Sequence, residues 1–332
     1  MKKLFISMLA VAALASCSQE DVIVADKGDL IGFNSFVENS TRAAADPSYS
    51  ANDIESFKVW GTVNNVGIYN GATVSRPSTE DGKGYGDVWT CTGNQQYWIS
   101  GADYVFAGIV DGDKAGVSTT TAVNGLPTTI EYTADGATDL LCQTIVRKAY
   151  TGSDIVAFNF THLLSKVNFT VNNESTGALD YIFVARDITF NGAKKGTYTI
   201  AYPTEDGQLV DGQLVAGNWN ITNTDVKTLS PLTVSANVEN AELGTEVLFI
   251  PGSYAVDFAV DVYYKEVTEK NKVTTMEYAG STQSLEANKA YNFVVNVSLG
   301  NPIYFTVEEQ PTWNEDVNGD DKVDANDNIK LQ

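Results

Sequence analysis

The chain has 332 residues, with 42 acidic side chains against 21 basic ones and a formal net charge of −21. Beyond residue 42, 17 Lys and Arg stand against 37 Asp and Glu, a net −20, so the acidity belongs to the body of the protein. Such a surface repels phosphate backbones, which excludes nucleic acid as a partner.

At the start, Lys2 and Lys3 precede an apolar run from Leu4 to Leu14, which is too short for a stable membrane-spanning helix and is ordered as a secretory signal. The run ends in Leu14-Ala15-Ser16-Cys17, which resembles a lipoprotein box: cleavage before Cys17, whose thiol then carries lipid, with the polar Ser18–Asp21 stretch following at once. Residues 1–16 are therefore read as a signal peptide. The precursor is expected in the outer membrane of a Gram-negative envelope, held there by palmitate on Cys17. Cys91 and Cys142 then allow at most one disulfide, or they are small apolar side chains, as "LLCQTIV" around Cys142 suggests.

From Asp29 to Val37, "DLIGFNSFV" puts Ile31, Phe33 and Val37 at odd positions, an imperfect alternation that reads as a strand. Arg42 and Ala43 follow among small and polar residues, an easily cut bond just behind that strand. A cut there would disconnect the strand from the sheet it completes.

Almost every later segment has period two. In "KVNFTVNN", Val167, Phe169 and Val171 alternate with polar neighbours; Val256, Phe258, Val260 and Val262 do so in "AVDFAVDVYY", and Tyr291, Phe293, Val295, Val297 and Leu299 in "YNFVVNVSL". Gly, Asn and Asp clusters punctuate these strands. The pattern predicts an all-β protein built of sandwiches, with a domain break near Thr161–Lys166.

Little points to catalysis. His162 is the single histidine, so a two-His zinc site is excluded, and no G-x-S-x-G or phosphate-cradling loop occurs. A Cys142–His162 pair is conceivable. Trp60, Trp89, Tyr97 and Trp98 could instead stack on sugars in a surface glycan-binding lipoprotein, although such rings more often pack in cores.

At the C-terminus, "DVNGDDKVDAND" places Asp316, Asn318, Asp320, Asp324 and Asp327 at positions 1, 3, 5, 9 and 12 of a calcium loop, with the Lys322 carbonyl at position 7. It resembles one repeat of a dockerin-type loop, with Asp321 where a glycine is usual. The other reading is a solvated acidic tail. Calcium is thus a candidate ligand, and no cofactor is otherwise required.

"FNFTHLLSKVNFTV", Phe158 to Val171, resembles the mid-chain signature of the fimbrillin family, the lipoprotein precursors of type V pili. "YWISGADYVFAGIV", "EVLFIPGSY" and "LEANKAYNFVVNVSLGNPIYFTVEEQPTW" are similar to other family segments, so the resemblance runs to Trp313. It implies two transthyretin-like β-sandwich domains in tandem, residues 43–165 and 166–313, behind a propeptide of residues 17–42; the acidic tail, 314–332, with its candidate calcium loop, departs from the family pattern. The resemblance also implies an arginine-specific maturation protease acting between Arg42 and Ala43. Other pilin subunits, of the same or a related kind, are the implied partners in an extracellular fimbrium for adhesion or biofilm. Loss of the N-terminal strand would open an apolar groove for a donor strand from the next subunit. The candidate donor is "PIYFTVEE", with Ile303, Phe305 and Val307 as its groove-filling face, or as ordinary core before assembly.

Overall fold

A computed structural model describes residues 29–37, 54–77, 89–93, 95–152, 154–174, 181–214, 217–228, 232–234, 241–242, 247–298 and 303–310. Among them the chain forms strands and one short 3-10 turn, Glu269–Asn271, with no α-helix. The all-β class expected from the period-two pattern is the observed one.

Three sheets and a small hairpin account for the strands. The first sheet has eight: β1 (Phe33–Val37), β2 (Ser56–Val63), β3 (Val66–Ser75), β4 (Thr90–Thr92), β5 (Ala102–Val110), β8 (Leu141–Tyr150), β9 (Val156–His162) and β14 (Gly212–Leu214). The second has seven: β6 (Val117–Thr121), β7 (Pro127–Thr133), β11 (Tyr181–Ile200), β15 (Gly217–Thr228), β16 (Leu232–Val234), β19 (Gly252–Tyr264) and β20 (Lys272–Leu285). The third has five: β10 (Ser165–Asn173), β17 (Ala241–Glu242), β18 (Val247–Phe249), β21 (Lys289–Val297) and β22 (Tyr304–Gln310). The hairpin pairs β12 (Thr204–Glu205) with β13 (Gln208–Leu209).

The first sheet runs β1-β9-β8-β5-β2-β3-β4, with β14 beside β8. It folds over on itself where β9 meets β8 through two pairs, Leu141 with His162 and Cys142 with Thr161. Phe57 on β2 lies 5.5 Å from Phe158 and 5.2 Å from Phe160 on β9, although β5 and β8 stand between those strands in sheet order. The β1–β9 pair is therefore a second layer, facing β2, β3 and β5 across a core of aromatic rings. Glycine permits this approach: a Cβ at Gly108 would sit 2.9 Å from the Phe160 ring, and one at Gly61 2.9 Å from that of Phe106.

Neighbouring residues of the central strands point to opposite faces. On β5, Tyr104 and Phe106 enter this first core while Val105 and Ile109 enter a second, larger one; on β8, Leu141 and Ile145 divide from Cys142 and Val146 in the same way. These strands are buried on both faces, which is why "YVFAGIV" reads as continuous apolar sequence without alternation.

The second core lies between the first, second and third sheets, with Phe169, Phe190, Phe249, Tyr254, Phe258 and Phe293 among its largest members. The hairpin β6–β7 pairs with β11, so a segment from before residue 165 completes a sheet formed mainly after it. The strand β10 begins at Ser165, where the sequence placed its break. It is covered on both sides: Val167, Phe169 and Val171 face the core, and the outward Lys166 and Thr170 are also buried. Polar contacts with its parallel partner β21 make that burial tolerable, Thr170 Oγ1 donating to Asn292 Oδ1 at 2.6 Å and Asn172 Nδ2 to Asn296 Oδ1 at 3.1 Å.

Candidate functional site

The first strand is the feature with functional geometry. Its backbone pairs in parallel with β9, from Phe33 beside Val156 to Val37 beside Phe160. Ahead of the strand, the Ile31 amide donates to the Gln96 carbonyl and the Trp98 amide to the Asp29 carbonyl, each at 2.9 Å, and Val156 N donates to Gly32 O at 2.8 Å. Residues 29–37 thus lie in a slot with β9 on one side and the Gln96–Trp98 segment at its entrance.

The inward residues Ile31, Phe33 and Ser35 are 3%, 6% and 2% exposed. The Phe33 ring meets Tyr69 edge-on at 5.4 Å and Phe106 at 6.3 Å, and it stacks over Phe158 at 6.4 Å. Trp98 closes the entrance, 4.7 Å from Tyr104, with its indole N–H donating to the Asp154 carbonyl at 3.2 Å. Burial pushes the Tyr69 phenol well above its ordinary pKa, so it stays neutral. Burying Ile31 and Phe33 stabilises the slot by roughly 3–6 kcal/mol on area grounds. The groove that would remain without residues 29–37 is apolar, aromatic and lined on one side by the unpaired backbone of β9.

Around this entrance the surface is apolar as well. Leu30 is 46% exposed and bridges to Tyr97, at 37%, while Ile99 and Ile155 are more than half exposed.

Cys17, Arg42 and Ala43 lie outside the described residues, as do Asp316, Asn318, Asp320, Lys322, Asp324 and Asp327 of the candidate calcium loop. Ile303, Phe305 and Val307 are described. They are half-buried and pack against the second core, Phe305 and Val307 from β22, an edge strand of the third sheet among the described residues, and Ile303 from just before it. That strand pairs antiparallel with β21, its Phe305 ring 5.4 Å from Phe293 and 5.5 Å from Tyr278, and Glu309 forms an ion pair with Lys289.

The remaining candidates separate. Cys142 is buried in the second core, where loss of solvation pushes its thiol up to about 12, so no thiolate forms near neutrality. His162 Nδ1 lies 2.6 Å from Asp139 Oδ2. The Cys142–His162 pair is therefore not an activated nucleophile. Cys91, half-buried on β4, and Cys142 are both free thiols. Trp60 and Trp98 are buried in different cores, and Trp89 packs on Phe57 at 5.2 Å beneath the Arg76 guanidinium, so these rings do not make one platform for sugars.

The groove residues Tyr69, Phe106 and Phe158 were not singled out from sequence, nor was Ser35. The i, i+2 spacing from Ile31 through Phe33 to Ser35, and the alternation of Phe158 with Phe160 in "VAFNFTH", were the available signals.

In comparison with known proteins, the model of a family described as Fimbrillin-like matches residues 41–310. No curated protein matches the chain in sequence. Among solved structures, a fimbrial protein from Bacteroides vulgatus is similar with a TM-score of 0.52 at 14% identity, over 84% of this chain and 98% of that one. A candidate cell adhesion protein from Bacteroides ovatus is similar with a TM-score of 0.51 at 16% identity, over 87% of this chain and 99% of that one. At these identities the likeness is one of fold.

Proposed function

The chain belongs to the fimbrillin-like family, and on that premise we propose that it is a structural pilus subunit of the cell surface, matured from a lipoprotein precursor by a cut after Arg42 and polymerised by donor-strand exchange. Its role is mechanical and adhesive, without catalysis. Its partners are other subunits of the same fibre, and before the cut the lipid on Cys17 holds it at the outer membrane. Adhesion or biofilm structure is the use to which such a fibre would be put.

One observation carries this reading: a strand that completes the first core ends at Val37, five residues before Arg42. Removing residues up to 42 would take Ile31 and Phe33 out of an aromatic slot and leave β9 an open edge. An open edge beside an apolar groove binds an added strand, with main-chain bonds giving strength and alternate side chains giving register. The candidate donor carries Ile303, Phe305 and Val307 on one face of a segment whose strand pairs, among the described residues, with β21 alone.

The test is N-terminal sequencing of the protein from an outer-surface preparation of its own cells. A start at Ala43 in heat-stable, high-mass ladders is expected. A lipidated Cys17 terminus with no Ala43 species would overturn the cut-and-polymerise reading.

A further inference from the structure

The strand that fills the groove and the strand offered to replace it share a spacing. Residues 31–35 read Ile-Gly-Phe-Asn-Ser, and residues 303–307 read Ile-Tyr-Phe-Thr-Val. Aligned in the same direction, Ile303 falls at the place of Ile31 and Phe305 at that of Phe33, the two side chains that fill the slot. The outward Asn34 is answered by Thr306, another small polar residue. The correspondence stops there: Glu309 would fall at the place of Val37.

Two of the five positions differ in kind, and both mark the resident strand as the poorer occupant. At the third inward position, Ser35 is 2% exposed and its hydroxyl has no hydrogen-bond partner among the described residues. A buried hydroxyl without a partner costs stability that an apolar group of the same size does not. Val307 would bring two methyl groups to that place and no polar atom. At the second position, Gly32 leaves its outward face bare beside Ile155, which is 59% exposed. A Cβ at Gly32 would meet Ile155 Cγ1 at 3.6 Å, an ordinary contact, so a side chain fits there. Tyr304 would lay its ring along this exposed isoleucine.

We propose that the first strand is a matched but weakened stand-in for residues Ile303–Val307 of a second copy of the chain, which enters in the same direction and register, parallel to β9, and that Ser35 and Gly32 set the direction of the replacement. This rests on the strand-exchange reading above and adds to it the register of the incoming segment and the source of its advantage. The resident strand fills the slot well enough to fold the precursor and poorly enough to leave it.

The experiment compares the full-length chain with its Ser35→Val and Ser35→Ala variants after cutting behind Arg42. It follows release of the cut N-terminal segment by mass spectrometry and growth of high-mass ladders on gels. Ser35→Val should retain the cut segment about tenfold longer or more, on the scale of one unsatisfied buried hydroxyl, and form ladders correspondingly more slowly. Ser35→Ala, which removes the hydroxyl without adding volume, should slow release in the same direction by less, and covers the case in which valine overpacks the site. Val307→Ser should slow ladder growth while leaving release of the segment unchanged. For register, Ala157→Cys together with Thr306→Cys should cross-link neighbouring subunits, because Asn34 stands beside Ala157 in the resident pairing. Release and assembly at the wild-type rate in both Ser35 variants would overturn the proposal while leaving strand exchange intact. A wild-type chain that is cut and yet neither releases its segment nor forms ladders would overturn strand exchange itself, and the proposal with it.

Discussion

Asp261 shows how one residue of β19 can be read wrongly from its neighbours. Alternation with Val260 and Val262 places it on the outer face, yet it is 5% exposed. It accepts from Arg186 Nε at 2.8 Å and from Thr275 Oγ1 at 2.6 Å, and Lys272 Nζ lies 3.0 Å away. Burial pushes the carboxyl up, and these partners outweigh burial to hold it at about 2. An unfolded aspartate titrates near about 3.9. The folded pKa is the lower one, so this contribution is complete above about pH 4 and is lost as pH falls through about 2. Asp261→Asn is expected to lower stability by about 2 kcal/mol at pH 7, as for hydrogen bonds to a charged group. Urea titrations of the two proteins should converge toward pH 2. A gap unchanged between pH 7 and pH 2 would show that the charge is not the stabilising element.

At the scale of single strands, alternation made the chain legible wherever one face meets a core and the other meets solvent or a polar layer. Tyr291, Phe293, Val295 and Val297 share a face as expected, and Ile31 with Phe33 gave away the first strand. Pairing was not legible. Nothing in "FNSFV" or "VAFNFTH" states that these two strands run parallel, because period two encodes a buried face and not a partner. The burial of Ser35 was hidden for a related reason: a serine in an imperfect alternation looks like a turn residue until its neighbours are seen. The slot nevertheless depends on its large side chain. Phe33→Ala is expected to destabilise the uncut chain by about 3–5 kcal/mol through the cavity left among Tyr69, Phe106 and Phe158. A chemical denaturation midpoint within experimental error of the wild type would mean that residues 29–37 are not part of the folded first core.

Across the whole molecule, strands from before and after residue 165 share sheets. The β6–β7 hairpin joins the second sheet, β14 returns to the first, and β5 and β8 present opposite faces to the two cores. These pairings were not legible in the sequence, because a local pattern carries no sign of a hairpin that pairs with a strand more than 60 residues away. The shared strands predict cooperative loss of both cores. Calorimetry of the uncut chain should give one transition, and Phe106→Ala in the first core and Ile109→Ala in the second should lower the same transition temperature. Two separable transitions, each moved by one variant alone, would contradict that coupling.

The parallel ladder between the first strand and β9 has a mechanical meaning. Parallel neighbours whose bonds lie side by side resist a pull along the strand axis as a set, since all must slip together, whereas a strand peeled sideways gives up one bond at a time. On the proposed exchange, a guest strand seated in the same place would inherit that loading. A joint of this kind is strongest when tugged along the direction of the guest strand and weakest when levered away from the sheet, which suits a filament held in flow better than one that must bend.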